Sequence, residues 1–236
     1  MERIASTPGL EPLQRSKTLP DDVYDVLLNM LLWGRWAPDA PLSIDGLAQL
    51  LGVSPTPVRE ALARLESTGL LRRTARRGYR VSPPMSEEQM GELVDARLVV
   101  ETGAIERAMR NQPSLLPDLE SAFQRHEAAM KALVSADPIE AQQFLQRYFE
   151  DDWSFHEAIL RHCGNRYLEQ AVNSLSFRVH RMRQTIGAGQ TDAPIAVAEH
   201  QTILEAVRRN DTADAVRSLH AHLSKLQTRV DGHVNE

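Results

Sequence analysis

Asp152-Trp153-Ser154-Phe155-His156 sets a carboxylate and an imidazole four residues apart, a spacing that stacks both on one face of a helix. Two more imidazoles follow, in Glu199-His200 and in His222-Leu223. His200 lies in a stretch that carries Ile203, Leu204 and Val207 at helical spacing, and His222 lies in the last helical stretch of the chain. One carboxylate and three imidazoles from facing helices can hold a divalent transition metal and leave coordination positions open to water or a ligand. Zinc is the expected ion, with nickel and manganese also chemically suited. Scattered histidines are also ordinary core or surface residues of a helical bundle, so spacing by itself leaves both readings open. His220 stands two residues before His222, and a helix turns about 200° over that step, so it should face elsewhere. His126, His162, His180 and His233 have no spacing partner and read as surface or boundary residues.

These residues can meet only if the second half of the chain is a helical bundle. Beyond residue 86 apolar positions recur at helical spacing almost everywhere, which predicts helices near 86 to 111, 115 to 135, 138 to 163, 165 to 187, 195 to 209 and 211 to 231. The expected breaks are Pro113, Pro117, Pro138, Gly164, Pro194 and Asn210-Asp211. Ser82-Pro83-Pro84-Met85-Ser86 reads as a linker, with Ser86 as the N-cap of the helix that follows. Charge divides there too: residues 1 to 85 hold eleven Lys/Arg against nine Asp/Glu, whereas the remainder holds sixteen against twenty-three and all eight histidines. The expected domains are a flexible N-terminus (1–19), a first domain (20–82), a linker (83–86) and an all-α second domain (87–232).

At 236 residues with 42% hydrophobic content, the chain has enough apolar surface for two cores. No apolar run approaches the roughly 18 to 20 residues that span a bilayer, and residues 1 to 19 lack the apolar core of a signal peptide. A soluble, cytoplasmic protein is expected. The single cysteine, Cys163, excludes an intrachain disulfide and reads as a structural thiol at a helix end.

The first half has its own chemistry. Gly52 suits the end of one helix and a sharp turn. Ser54 is a natural N-cap, and Pro55 and Pro57 fall where their missing N–H groups would have no intrahelical partner. Val58, Leu62 and Leu65 share one stripe, leaving Thr56, Arg59 and Ala63 on other faces. A short helix with an apolar back and a cationic N-terminal end can enter a major groove, Arg59 reaching a guanine edge or a phosphate. After Gly69, the segments Leu70 to Thr74 and Tyr79 to Ser82 flank Ala75-Arg76-Arg77-Gly78, a hairpin turn that reads as a wing. Ahead of this motif, Val23, Val26, Leu27, Met30 and Leu31 form the apolar stripe of a first helix. Between residues 51 and 85 seven Arg (59, 64, 72, 73, 76, 77, 80) face two acids, a local balance of +5 in a chain of net charge -5. Such a patch attracts phosphate and makes binding salt-dependent.

The string Gly-Val-Ser-x-Thr-Pro-Val-Arg-Glu-Ala-Leu-x-x-Leu-Glu-x-x-Gly-Leu from Gly52, followed by Arg-Gly-Tyr-x-Val from Arg77, resembles the winged helix-turn-helix of the GntR family of bacterial transcription regulators. Pro55 departs from it, since many members carry Arg or Lys there. The second half is similar to the FCD-type all-α effector domain of the FadR subfamily: Arg97-x-x-x-Glu101, Asp152-x-x-x-His156 with Phe155 before the His, Gly164-Asn165, then Glu199-His200 and His222-Leu223. Together the two motifs cover the chain from about 20 to 230.

The resemblance implies a mainly α fold, an N-terminal winged helix-turn-helix with a small β-hairpin followed by an all-α bundle. It implies a homodimeric repressor that binds a palindromic double-stranded operator through Ser54, Thr56, Arg59, Arg64, Arg76, Arg77, Gly78 and Tyr79. It implies a metal held by Asp152, His156, His200 and His222, and a small carboxylate effector. Arg97 matches a position that points into the effector cavity in many relatives, although an intrahelical salt bridge to Glu101 is an equal reading. Arg178 and Arg183 are weaker candidates for the same role. Two alternatives stay open: a metal-free regulator that responds to an apolar or acyl effector, and a metal-dependent hydrolase. No nucleophile motif supports the latter, so no enzymatic activity is expected.

Overall fold

The structure is a computed structural model that describes residues 18–74, 78–137, 141–188 and 192–231; the expected flexible N-terminus falls almost wholly outside them. Helix α1 (Leu19–Leu32) is followed by a two-residue strand β1 (Pro41–Leu42), α2 (Ile44–Leu51), α3 (Pro55–Ser67), β2 (Leu71–Thr74) and β3 (Gly78–Val81). Ser43 caps α2 by accepting from the Gly46 N–H at 3.0 Å, and Gly52 ends it at φ 66°, so α3 starts at the prolines as their chemistry requires. The strands form an antiparallel sheet in the order β1-β3-β2, with Leu71 opposite Val81 and Thr74 opposite Gly78. β1 was not foreseen, because Pro41-Leu42 is too short to show alternation; it pairs through Leu42 with Tyr79.

Among the described residues seven helices follow: α4 (Glu87–Ala108), α5 (Gln112–Ser135, entered through a 3-10 turn at Met109–Asn111), α6 (Ala141–His162), α7 (Arg166–Ser174), α8 (Phe177–Ala188), α9 (Ala193–Arg208) and α10 (Thr212–Asp231). Ser86 and Gln89 form a capping box at the start of α4, with reciprocal bonds of 3.0 and 3.2 Å. Two expectations need correction. Pro117 does not break α5; the helix runs on because Leu115, Leu119, Ala122 and Phe123 are buried on one stripe, and this outweighs one lost hydrogen bond. The single helix expected at 165 to 187 is two, divided at Leu175-Ser176, where Ser176 takes φ 53°.

One apolar core fills the bundle, built on residues such as Ile105, Leu119, Phe155, Ile159, Leu204 and Leu219. A second runs from the winged half, through Leu27, Leu62, Leu65 and Val81, into Phe149 of α6 and Val179 and Met182 of α8. The two halves therefore share packed surface rather than meeting only at the proline linker.

Candidate functional site

Three helices bring the candidate ligands together: α6 supplies Asp152 and His156, α9 His200 and α10 His222, while α5 sets His126 beside them. Asp152 and His156 reach one face because they are one helical turn apart. His156, His200 and His222 are all buried, and each offers a nitrogen within 4.8 Å of the others. His200 Nε2 lies 3.3 Å from His222 Nε2, and Asp152 Oδ1 lies 3.9 Å from the same His200 nitrogen. The opposite ring nitrogens are tied back. His156 Nδ1 is 2.7 Å from Glu101 Oε2, His222 Nδ1 is 2.8 Å from Glu199 Oε2, and His200 Nδ1 is 3.0 Å from His126 Nδ1. Phe155 stacks on His200 with ring centroids 4.2 Å apart.

This arrangement fits a metal ion. His156 Nε2 is buried and has no hydrogen-bond partner among the described residues, a costly state for a polar atom that a ligating role explains. Two nitrogens of one tetrahedral zinc stand about 3.3 Å apart, matching the His200–His222 separation. Burial, and then neighbouring imidazoles, push His200 well below the ordinary histidine range; burial likewise lowers His222 against the pull of Glu199. Neutral imidazole is the form that binds a metal. Burial raises the Glu101 carboxyl, but Arg97 and then His156 outweigh it and hold it at about 2, so it stays ionised and accepts from His156.

Arg97 makes the salt bridge to Glu101 at 2.6 Å, with both side chains buried. It still has a buried Nη2 without a hydrogen bond, and its guanidinium lies 4.1 Å from the Phe177 ring centroid. Arg97 and the candidate ligands Asp152, His156 and His222 border a cavity of about 20 Å³, which Phe177 and Arg181 also line. Arg178 and Arg183 do not line it. Arg178 sits 3.7 Å from Glu150 and Arg183 donates to the linker carbonyl of Ser82 at 2.8 Å. The break at Ser176 resets the helix, so that Phe177 and Arg181, four residues apart, take the inner face. Arg181 was missed because that break was not legible.

His126 and His180 also depart from expectation. His126 is completely buried, and the stripe Leu119, Ala122, Phe123, Ala129, Leu133 on α5 already placed position 126 on the inner face. His180, on α8, donates from Nε2 to the carbonyl of Thr68 at 2.7 Å, at the end of α3. Of the remaining histidines, His162 reaches Asp118 at 2.9 Å, His220 is exposed as its spacing predicted, and His233 lies outside the described residues.

On the other half, Val58, Leu62 and Leu65 are fully buried, while Ser54, Thr56, Arg59 and Ala63 are exposed along α3. Ser54 precedes the helix without a side-chain capping bond, leaving its hydroxyl free of that duty. Arg64 is turned toward α1, 2.8 Å from Asp21 and over the Tyr24 ring, which braces α1 against α3. Tyr79 is only 5% exposed; with Val81 it takes the inner face of β3, as strand alternation requires, so its ring belongs to the core. Gly78 turns at φ 79° and an added Cβ would stand 3.1 Å from the Leu42 carbonyl oxygen. Arg76 and Arg77 lie outside the described residues.

The chain matches the model for bacterial regulatory proteins of the gntR family over residues 19–81 and the FCD domain over residues 92–225. It is 30% identical over 196 residues to the gluconate operon transcriptional repressor of Bacillus licheniformis, a match covering 80% of this chain and 76% of that protein. It is 28% identical to the HTH-type transcriptional repressor GlaR of Escherichia coli (strain K12), over 86% and 91% of the two chains. The solved structure of E. coli McbR/YncC has the same fold, with a TM-score of 0.69 at 22% identity, covering 93% of this chain and 100% of that one.

Proposed function

This chain belongs to the GntR family of bacterial regulatory proteins and carries an FCD domain, so it is a DNA-binding transcriptional regulator; we propose that it is a repressor controlled by a divalent metal and a small carboxylate. The metal is held by Asp152, His156, His200 and His222. The observation that carries this reading is the orphaned, buried His156 Nε2 beside the His200–His222 pair, with the far nitrogen of each ring anchored. A bound zinc, nickel or manganese ion supplies Lewis-acid coordination for one oxygen of a carboxylate. Arg97 offers its unused Nη2 to the other oxygen, a charge-assisted contact.

The cavity beside these groups is about 20 Å³, room for about one water molecule. An organic acid enters only if the lining moves, and the movable wall is α8 through Phe177 and Arg181. The same helix holds Thr68 through His180 and Ser82 through Arg183. Widening the cavity therefore shifts the support of α3 and of the chain that leaves the wing. Ligand affinity and operator affinity become linked through two arrangements of α8. Thr56, Arg59 and the wing face the DNA, and two copies related by a two-fold axis read the half-sites of a palindrome.

The test is binding of the purified protein to its own upstream intergenic DNA across a salt series, with and without chelation, against a panel of carboxylic acids. Selective, salt-sensitive binding that one acid weakens only in the metal-loaded protein is the expected result. A response to an acid or acyl compound that survives replacement of His156, His200 and His222 by Ala would overturn the metal-dependent reading.

A further inference from the structure

We propose that His126 is a positioning residue of the metal site, which accepts a hydrogen bond from His200 and presents its remaining N–H to Asp152, so that one outer ring fixes two ligands. The inference rests on the metal reading above.

Metal-binding imidazoles hold their orientation and tautomer through the nitrogen that does not face the ion. Two of the three rings meet a carboxylate there, Glu101 for His156 and Glu199 for His222. His200 meets an imidazole instead, His126 Nδ1 at 3.0 Å. If His200 ligates through the Nε2 that faces His222, its proton must be on Nδ1, and His126 Nδ1 must accept it. That assignment leaves the His126 proton on Nε2. This atom is buried without a hydrogen-bond partner among the described residues, and it stands 3.5 Å from Asp152 Oδ1.

His126, Asp152 and His200 also lie close enough to hold an ion by themselves, but their directions argue for a bracket. His126 approaches His200 at Nδ1 whereas Asp152 approaches it at Nε2, so the two straddle the ring. Tyr148 packs against the His126 ring with centroids 4.9 Å apart, and Phe155 fixes the plane of His200. A neutral acceptor in place of a third carboxylate also spares the cavity another buried negative charge.

The test uses the full chain with zinc alone, its affinity measured by chelator competition, and cobalt(II) as a spectroscopic probe of coordination. His126→Leu removes both hydrogen-bonding edges and should weaken zinc by about 10- to 100-fold. His126→Gln restores an acceptor and a donor on one planar group and should recover affinity to within about threefold, with an unchanged cobalt spectrum. In the zinc-loaded wild type, 15N NMR should find His126 as the Nε2–H tautomer with no metal on either nitrogen. Equal zinc affinity in the Leu variant, a Gln variant as weak as Leu, or a metallated His126 in the NMR spectrum overturns the assignment. Failure of the wild type to bind either metal removes the metal reading itself, a different result from any of these.

Discussion

Individual residues at the centre of the bundle carry opposed duties. The same burial that keeps His200, His222 and His126 neutral leaves them vulnerable to acid in the absence of a metal. Burial lowers all three, and also His180, below the ordinary 6.5. An unfolded chain therefore takes up these protons first as pH falls, and a state that binds more protons gains stability on acidification. Stability of the chelated protein should be fully present above the unfolded value and decline as pH drops through 6.5 and below. Glu101, held at about 2, loses its contribution only when pH falls from the unfolded carboxylate range toward that value, so it does not compete in this window. Urea denaturation in chelator at about pH 7.5 and about pH 5.5 should give a lower unfolding free energy at the acid end, by up to about 1.4 kcal/mol per titrating group per pH unit. A flat profile would mean that the rings are solvated in solution.

At the scale of elements, turns rather than interiors set the geometry of the DNA-binding half. Gly52 and Gly78 both occupy the left-handed region, at φ 66° and 79°, but their surroundings differ. A Cβ at Gly52 meets nothing within 4 Å, whereas one at Gly78 meets the Leu42 carbonyl at 3.1 Å. Gly52→Ala should cost about 1 kcal/mol, the backbone penalty alone. Gly78→Ala should cost more, about 2 kcal/mol or above, because the β1–β3 pairing must yield as well. Comparing the two variants by thermal denaturation checks the order; equal costs would show that the wing relaxes freely. Helix α8 owes its direction to another left-handed turn, at Ser176, which no glycine or proline announces. Beyond that turn Phe177 and Arg181 border the cavity, and Arg178 and Arg183 do not.

For the whole molecule, the overall charge of -5 conceals a basic winged half, and the two halves are joined through α8 as well as through the chain. His180 is one polar tie, buried between the bundle and the end of α3. His180→Ala should leave metal affinity unchanged, since the side chain does not enter the cluster, yet it should reduce the effect of chelation on operator affinity. Coupling of this kind is typically worth about 5- to 150-fold, and the variant should retain less than about threefold. Operator binding by metal-loaded and chelated protein, compared in wild type and variant, measures it. An undiminished ratio would assign the coupling to the linker instead.

By itself the sequence determined what depends on neighbours along the chain. The prolines and Gly52 begin and end helices through backbone sterics, Val58, Leu62 and Leu65 fix the buried side of α3, and Asp152 and His156 share a face because a helix has 3.6 residues per turn. Tertiary structure decided what depends on contacts between distant segments. His126 joins His200 across 74 residues, Glu101 reaches His156 across 55, and His180 finds Thr68 across 112. Local propensity gives a residue its face but not its partner, and the ring nitrogen that turns inward is chosen only when four helices pack and decide which buried polar groups come within reach of one another.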